Sequence, residues 1–303
     1  MNGVVAGSTP LRSVGRTLGL ALGVTLVACA LVAIMNSAPA LAQVRRAFAA
    51  PSLVAGLVAL AAAIASFGFS GGMFFALLRN HGSLRFWQMV KLVTASGLLN
   101  YAPLRPGLVG RVAYQQLVCG ITVRRSIWAT LEAGVVSLAT ALWLAIAVTV
   151  VSRTDARAVG AIMVGAPALA GLALVGGRSS WWKVHAEAVF WRWLDVLAWT
   201  ARYWAVFALI GVDLPWEGAA AAACVGLTAS LVPLVGNGLG IREWAVALAG
   251  PWLGAWPEDL GLAADLVNRA IDLALIVPLG LVATVSVARE LREASRVRRV
   301  TPQ

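Results

Sequence analysis

The residues with the most chemical content are arginines and carboxylates set within apolar sequence. Gly107-Leu108-Val109-Gly110-Arg111 and Gly238-Leu239-Gly240-Ile241-Arg242 share the pattern Gly-Leu-x-x-Arg. Each follows a proline-marked break, at Pro103 and Pro106 in the first copy and at Pro233 in the second. A guanidinium in hydrocarbon costs roughly 2.5 kcal/mol or more at mid-depth, so each arginine needs a partner, a cavity or a task. The pattern predicts that one half-helix ends at the break and a second begins near Gly107 or Gly238. The first N–H groups of that second half-helix have no intrahelical partners and carry the positive end of its dipole. An arginine one turn in adds a planar fork of donors suited to phosphate oxygens. Two such ends meeting make an anion site built on Arg111, Arg242, Gly107, Gly238 and Gly240.

Further charges lie in the apolar segments. Arg192, Asp195 and Arg202 share a helical face, so Asp195 can pair with either arginine. Asp265, Arg269 and Asp272 form an i, i+4, i+3 series, Glu243 follows Arg242 directly, and Glu132 sits alone about two turns into its segment. One reading is ion pairing that fixes helix register. The other is a hydrated cavity between two halves of the chain, with Glu132, Glu243, Arg269 and Asp272 facing a ligand. Cys29, Cys119 and Cys224 have no metal or redox spacing, and there is no Walker loop or nucleophile elbow. No metal, cofactor or catalytic residue is expected.

The elements that must position these residues are membrane helices. Of 303 residues 60% are hydrophobic and 12% charged, and the mean hydropathy is +0.83, which excludes an ordinary soluble domain. The hydropathy pattern predicts spans at Thr17–Met35, Ser52–Leu78, Ser126–Val151, Val159–Val175, Glu187–Ile210 and Leu260–Val287. Two interrupted regions lie at Leu84–Gly120 and Trp216–Gly250. The fold expected is therefore an all-α polytopic membrane protein with about six full transmembrane helices and two broken or re-entrant regions, in one domain over 1–303. Ala40-Leu41-Ala42 resembles a signal-peptide cleavage site, but the apolar run before it is long for one, and an uncleaved anchor is expected.

With re-entrant breaks, Arg12, Arg16, Arg79, Arg85, Lys91, Arg124, Arg125, Arg178, Lys183 and the arginines from Arg289 to Arg299 fall on one side. Arg45, Arg46, Arg153 and Arg157 fall on the other. By the positive-inside rule both termini are cytoplasmic, in a bacterial-type inner membrane. The net charge of +11 is then a topology signal and not a nucleic-acid footprint. Residues 52–151 and 187–287 each read as span, break, span, the first starting outside and the second inside, which makes an inverted repeat. Leu131–Ala139 aligns with Leu266–Ala274 at nearly the offset that relates Arg111 to Arg242. Residues 288–303 form a basic cytoplasmic tail.

Pro106-Gly107-Leu108-Val109-Gly110-Arg111 and Gly236-Asn237-Gly238-Leu239-Gly240-Ile241-Arg242-Glu243 resemble the two motifs of the lysylphosphatidylglycerol synthase transmembrane-region family, with Asn237 where that family often has glycine. The order of spans is similar over nearly the whole chain. The resemblance implies a flippase-like membrane domain without the soluble aminoacyl-transfer domain, hence not an enzyme. The ligand expected is a membrane lipid, an anionic phospholipid or lipid-linked phosphate, bound and translocated between leaflets. The alternatives are a non-catalytic scaffold for a membrane protein partner and a membrane enzyme using Glu132, Glu243 or Asp272 as acid or base.

Overall fold

The structure is a computed structural model that describes residues 25–33, 35–49, 52–102, 106–151, 180–231 and 236–300. Among them the regular structure is helical throughout. After a helical stretch at 25–33 come α1 (Ala38–Ala49), α2 (Leu53–Leu78), α3 (Phe86–Leu99), α4 (Pro106–Leu117), α5 (Val123–Val151), α6 (Ser180–Leu209), α7 (Trp216–Leu231), α8 (Ile241–Leu253) and α9 (Glu258–Val300). The span expected at Val159–Val175 and the prolines Pro103 and Pro233 lie outside the described residues, as does part of Thr17–Met35.

Among the described residues three helices are long and apolar enough to cross a membrane: Leu53–His81, Val123–Ile146 and Glu258–Arg296. The chain is a helical membrane protein by length and composition. α2 shows why: its 26 residues contain no charge, and at 1.5 Å per residue they reach about 39 Å against a hydrocarbon core of about 30 Å. The 30-residue α6 is longer, but Lys183, Glu187, Arg192, Asp195 and Arg202 dilute its hydropathy. α2 and α6 lie against each other, and Gly72 of α2 seats the Trp191 ring so closely that a Cβ there would collide with it.

Both interrupted regions are helix pairs. α3, α4, α7 and α8 have 14, 12, 16 and 13 residues, hence lengths of about 18–24 Å, each too short for a straight crossing. α4 doubles back on α3, and Lys91 and Tyr114 both donate to the Glu290 carboxylate on α9. The second break turns through Asn237 (φ 53°), Gly238 (φ 66°) and Gly240 (φ 79°), left-handed conformations that glycine adopts freely and asparagine tolerates.

α3 packs on α2 and α9, and α7 packs on α6 and α5. α4 packs on α3 and α5, and α8 on α7 and α9, while α5 also meets α2 and α6, and α9 meets α6 and α2. One apolar core gathers Met73, Leu77, Met89 and Leu92, and another Tyr203, Phe207, Ile210 and Val246. The basic segment after 287 is helical as far as Val300, because α9 continues through it. Residues 281–300 contain neither Gly nor Pro, so no strong breaker ends the helix.

Candidate functional site

Arg242 lies in the first turn of α8, just past the left-handed Gly240 that caps the helix. The residue is 2% exposed. Nε donates to Asp265 Oδ2 at 2.8 Å and Nη1 to Asp272 Oδ2 at 3.1 Å. Asp272 accepts a second guanidinium, from Arg202 Nη1 at 2.5 Å to Oδ1. The Trp199 ring lies beneath both cations, 4.1 Å from Arg202 and 5.4 Å from Arg242. Two arginines from α6 and α8 therefore grip one carboxylate of α9.

The other acids are held differently. Asp265 Oδ1 accepts from the Tyr203 hydroxyl at 2.5 Å and from Asn268 Nδ2 at 3.2 Å. Glu243 accepts from Arg269 Nε at 2.8 Å, and Arg269 also donates to the carbonyls of Asn237 at 3.2 Å and Gly238 at 3.5 Å. Arg269 thus ties the break between α7 and α8 to α9. Such a link matters because backbone groups at a break have no helical partners, and within a membrane they must find others.

Beside Arg202, Arg242 and Asp272 lies a cavity of about 200 Å³, also walled by Ser66, Tyr101 and Asn237. Arg242 Nη2 and Arg202 Nε are buried without a hydrogen-bond partner among the described residues. A buried guanidinium nitrogen left unmatched costs more than a neutral one, and beside a polar cavity it suits an incoming oxyanion.

The chain matches no protein-family model, no curated protein and no solved structure.

The sequence-predicted residues divide into three settings. Arg242 and Asp272 meet in the cavity wall. Glu243 and Arg269 are occupied with each other, next to Gly238 and Gly240. Arg111 and Gly107 lie elsewhere, and among the described residues Arg111 shares no partner with Arg242. Arg111 Nη2 donates to the Thr130 hydroxyl at 2.9 Å and its guanidinium stacks 4.0 Å from the Phe74 ring. Gly107 lets α4 close on α3, since a Cβ would strike the Ser96 carbonyl.

One pairing departs from expectation, and two settle alternatives that the sequence left open. Glu132 is not alone: Arg125, two turns earlier on α5, holds it through both oxygens at 2.7 and 3.1 Å. Asp195 takes Arg192 at 2.5 Å and the Ser70 hydroxyl at 3.1 Å, leaving Arg202 to Asp272. Arg242 does not pair with its neighbour Glu243, because consecutive helical residues point apart. The cavity roles of Ser66, Tyr101, Trp199 and Asn237 were not expected from the sequence. Ser66 and Ser70, one turn apart in an otherwise apolar α2, were the available signal.

Proposed function

We propose that the protein binds an anionic phospholipid or lipid-linked phosphate at Arg202 and Arg242 and carries it between the leaflets of a bacterial-type inner membrane. The observation that carries this reading is the cavity wall in which two buried arginines keep unmatched donors. Phosphate oxygens suit such forks, and a bilayer supplies phosphate on every lipid. Transporters built from inverted repeats place their substrates at broken helices near the midplane, where irregular backbone can line a cavity.

Packing supports the repeat of 52–151 with 187–287. Exchanging α2, α3, α4 and α5 for α6, α7, α8 and α9 turns α2–α3 into α6–α7, α3–α4 into α7–α8, α4–α5 into α8–α9, and α3–α9 into α7–α5, all packed pairs. The alignment of Leu131 with Leu266 makes Thr130 the counterpart of Asp265. Arg111 donates to Thr130 and Arg242 to Asp265, so the two motif arginines reach equivalent positions in the two halves. Six spans, two re-entrant regions and cytoplasmic termini complete the architecture. The motifs' resemblance to the lysylphosphatidylglycerol synthase transmembrane region points the same way, toward lipid movement and not synthesis.

Native mass spectrometry of the purified full chain tests the reading. Wild type retains anionic lipid in preference to zwitterionic lipid, Arg202→Gln loses that preference while staying folded, and Arg202→Lys recovers it in part. Equal retention of both lipid classes by wild type and Arg202→Gln would favour the scaffold reading.

A further inference from the structure

We infer that Asp272 is an internal stand-in for the ligand's anion: a lipid phosphodiester with one negative charge displaces its carboxylate from Arg202 and Arg242, and one proton neutralises Asp272 in the same step. This inference rests on the anion-site reading above.

Among the three acids of the cluster, only Asp272 can give way. Asp265 and Glu243 have fully buried side chains, whereas that of Asp272 is 16% exposed and lines the cavity. Asp265 is fixed by Arg242, Tyr203 and Asn268. Glu243 is fixed by Arg269, which the break carbonyls hold in turn. Among the described residues Asp272 accepts only from Arg202 and Arg242, and those arginines carry the unmatched nitrogens. Its carboxylate already occupies the place a ligand oxyanion needs.

Charge balance sets the ligand class. Around Asp272 stand Arg202, Tyr203 and the paired Arg192 and Asp195 on α6, Arg242 and Glu243 on α8, Tyr101 in the turn after α3, and Asp265 and Arg269 on α9 itself. The α2 side contributes Ser66 and Ser70, which do not titrate. Arg202, Arg242 and Arg269 balance Asp265, Asp272 and Glu243, and Arg192 balances Asp195. An added anion would leave an uncompensated buried charge, which is strongly unfavourable. A monoanion entering with one proton keeps the balance: the proton goes from water to the Asp272 carboxylate, and the ligand oxygens take up the freed guanidinium donors. A phosphodiester carries that single charge. A dianionic phosphomonoester would need two protons.

Proton and lipid must then favour each other's binding. The test measures phosphatidylglycerol binding to the full chain in detergent between pH 5 and 8, where a phosphodiester keeps its single charge, with phosphatidylcholine as control. Wild-type affinity for phosphatidylglycerol should rise as pH falls, by up to about tenfold per unit for one proton. Asp272→Asn should bind it about tenfold or more tightly than wild type at pH 7, the scale of one hydrogen bond to a charged group, and without pH dependence. Glycerophosphoglycerol, the same headgroup without acyl chains, separates the two sources of the phosphodiester. Weak competition assigns the site to the lipid, while competition equal to the lipid's keeps the displacement but overturns the lipid reading.

Wild-type affinity that is flat with pH overturns the displacement while leaving the anion site standing, and so does a folded Asp272→Asn no tighter than wild type. Phosphatidylglycerol bound no better than phosphatidylcholine by either protein overturns both. If Asp272→Asn is not recovered folded, the wild-type pH series decides alone.

Discussion

Replacing Asp265 with alanine is the sharpest structural perturbation of the cluster. The side chain is fully buried and takes Arg242 Nε at 2.8 Å, Tyr203 OH at 2.5 Å and Asn268 Nδ2 at 3.2 Å. Helix-to-helix hydrogen bonds within membranes average only about 0.6 kcal/mol, so loss of the Tyr203 bond is a minor part of the effect. The larger part is the charge left behind. Removing one member of a buried pair costs about 3–5 kcal/mol, and Asp272 compensates only partly because Arg202 already shares it. Each kcal/mol lowers the melting temperature of a chain near this size by roughly 2–4 °C, so Asp265→Ala should melt about 10 °C below wild type. Asp265→Asn keeps the acceptor for Tyr203 and loses only the charge, and should fall between the two. Thermal unfolding of the purified full chain in one detergent, followed by tryptophan fluorescence, reads all three. An Asp265→Ala protein melting within about 2 °C of wild type would refute the assignment of Asp265 as the counter-charge of Arg242.

Asp195→Ala strands Arg192 in the same way and should destabilise by about 3 kcal/mol, while Arg192→Leu with Asp195→Leu is milder. A double variant no more stable than Asp195→Ala in the same melting assay would mean that this carboxylate acts outside the pair. Gly240→Ala forces a Cβ into φ 79° at the start of α8 and should cost about 1–3 kcal/mol, with lower retention of anionic lipid as Arg242 shifts. For topology, a cysteine at Ser37 should label from outside intact cells and one at Ser295 should not. Ser37 hydrogen-bonds Asp259 at the first turn of α9, near the opposite end of that helix from Ser295. Labelling of Ser295→Cys from outside would reverse the orientation.

Helix positions were legible because one property decides each of them. α2 was expected from Ser52 to Leu78 and runs Leu53–Leu78, since uninterrupted apolar sequence ends at Arg79. Both breaks were legible from Pro, Gly and Asn, which leave few alternatives to a turn. Partner choice was not legible, because it depends on approach between distant helices. Arg125–Glu132 and Asp195–Arg202 have the same seven-residue separation, yet only the first pair forms. On α6, Arg192 is nearer to Asp195, and α9 brings Asp272 to Arg202. The series Asp265, Arg269, Asp272 looked self-contained at helical spacing, but α8 inserts Arg242 and Glu243 between its members and rearranges every pair. The lining of the cavity was legible only in part for a related reason: its walls come from six helices, and beyond the Ser66 and Ser70 pair, residues such as Tyr101 and Trp199 carry no signal in their own segments.

The most direct test is lipid movement in vesicles reconstituted with the full chain, using headgroup-preserving, tail-labelled phosphatidylglycerol and phosphatidylcholine and an impermeant quencher. Wild type should expose inner-leaflet phosphatidylglycerol well above protein-free vesicles and above phosphatidylcholine, and Arg202→Gln should return the rate to the protein-free level. Phosphatidylglycerol movement that is the same in wild type, Arg202→Gln and protein-free vesicles would contradict an anionic-lipid carrier working through this arginine pair.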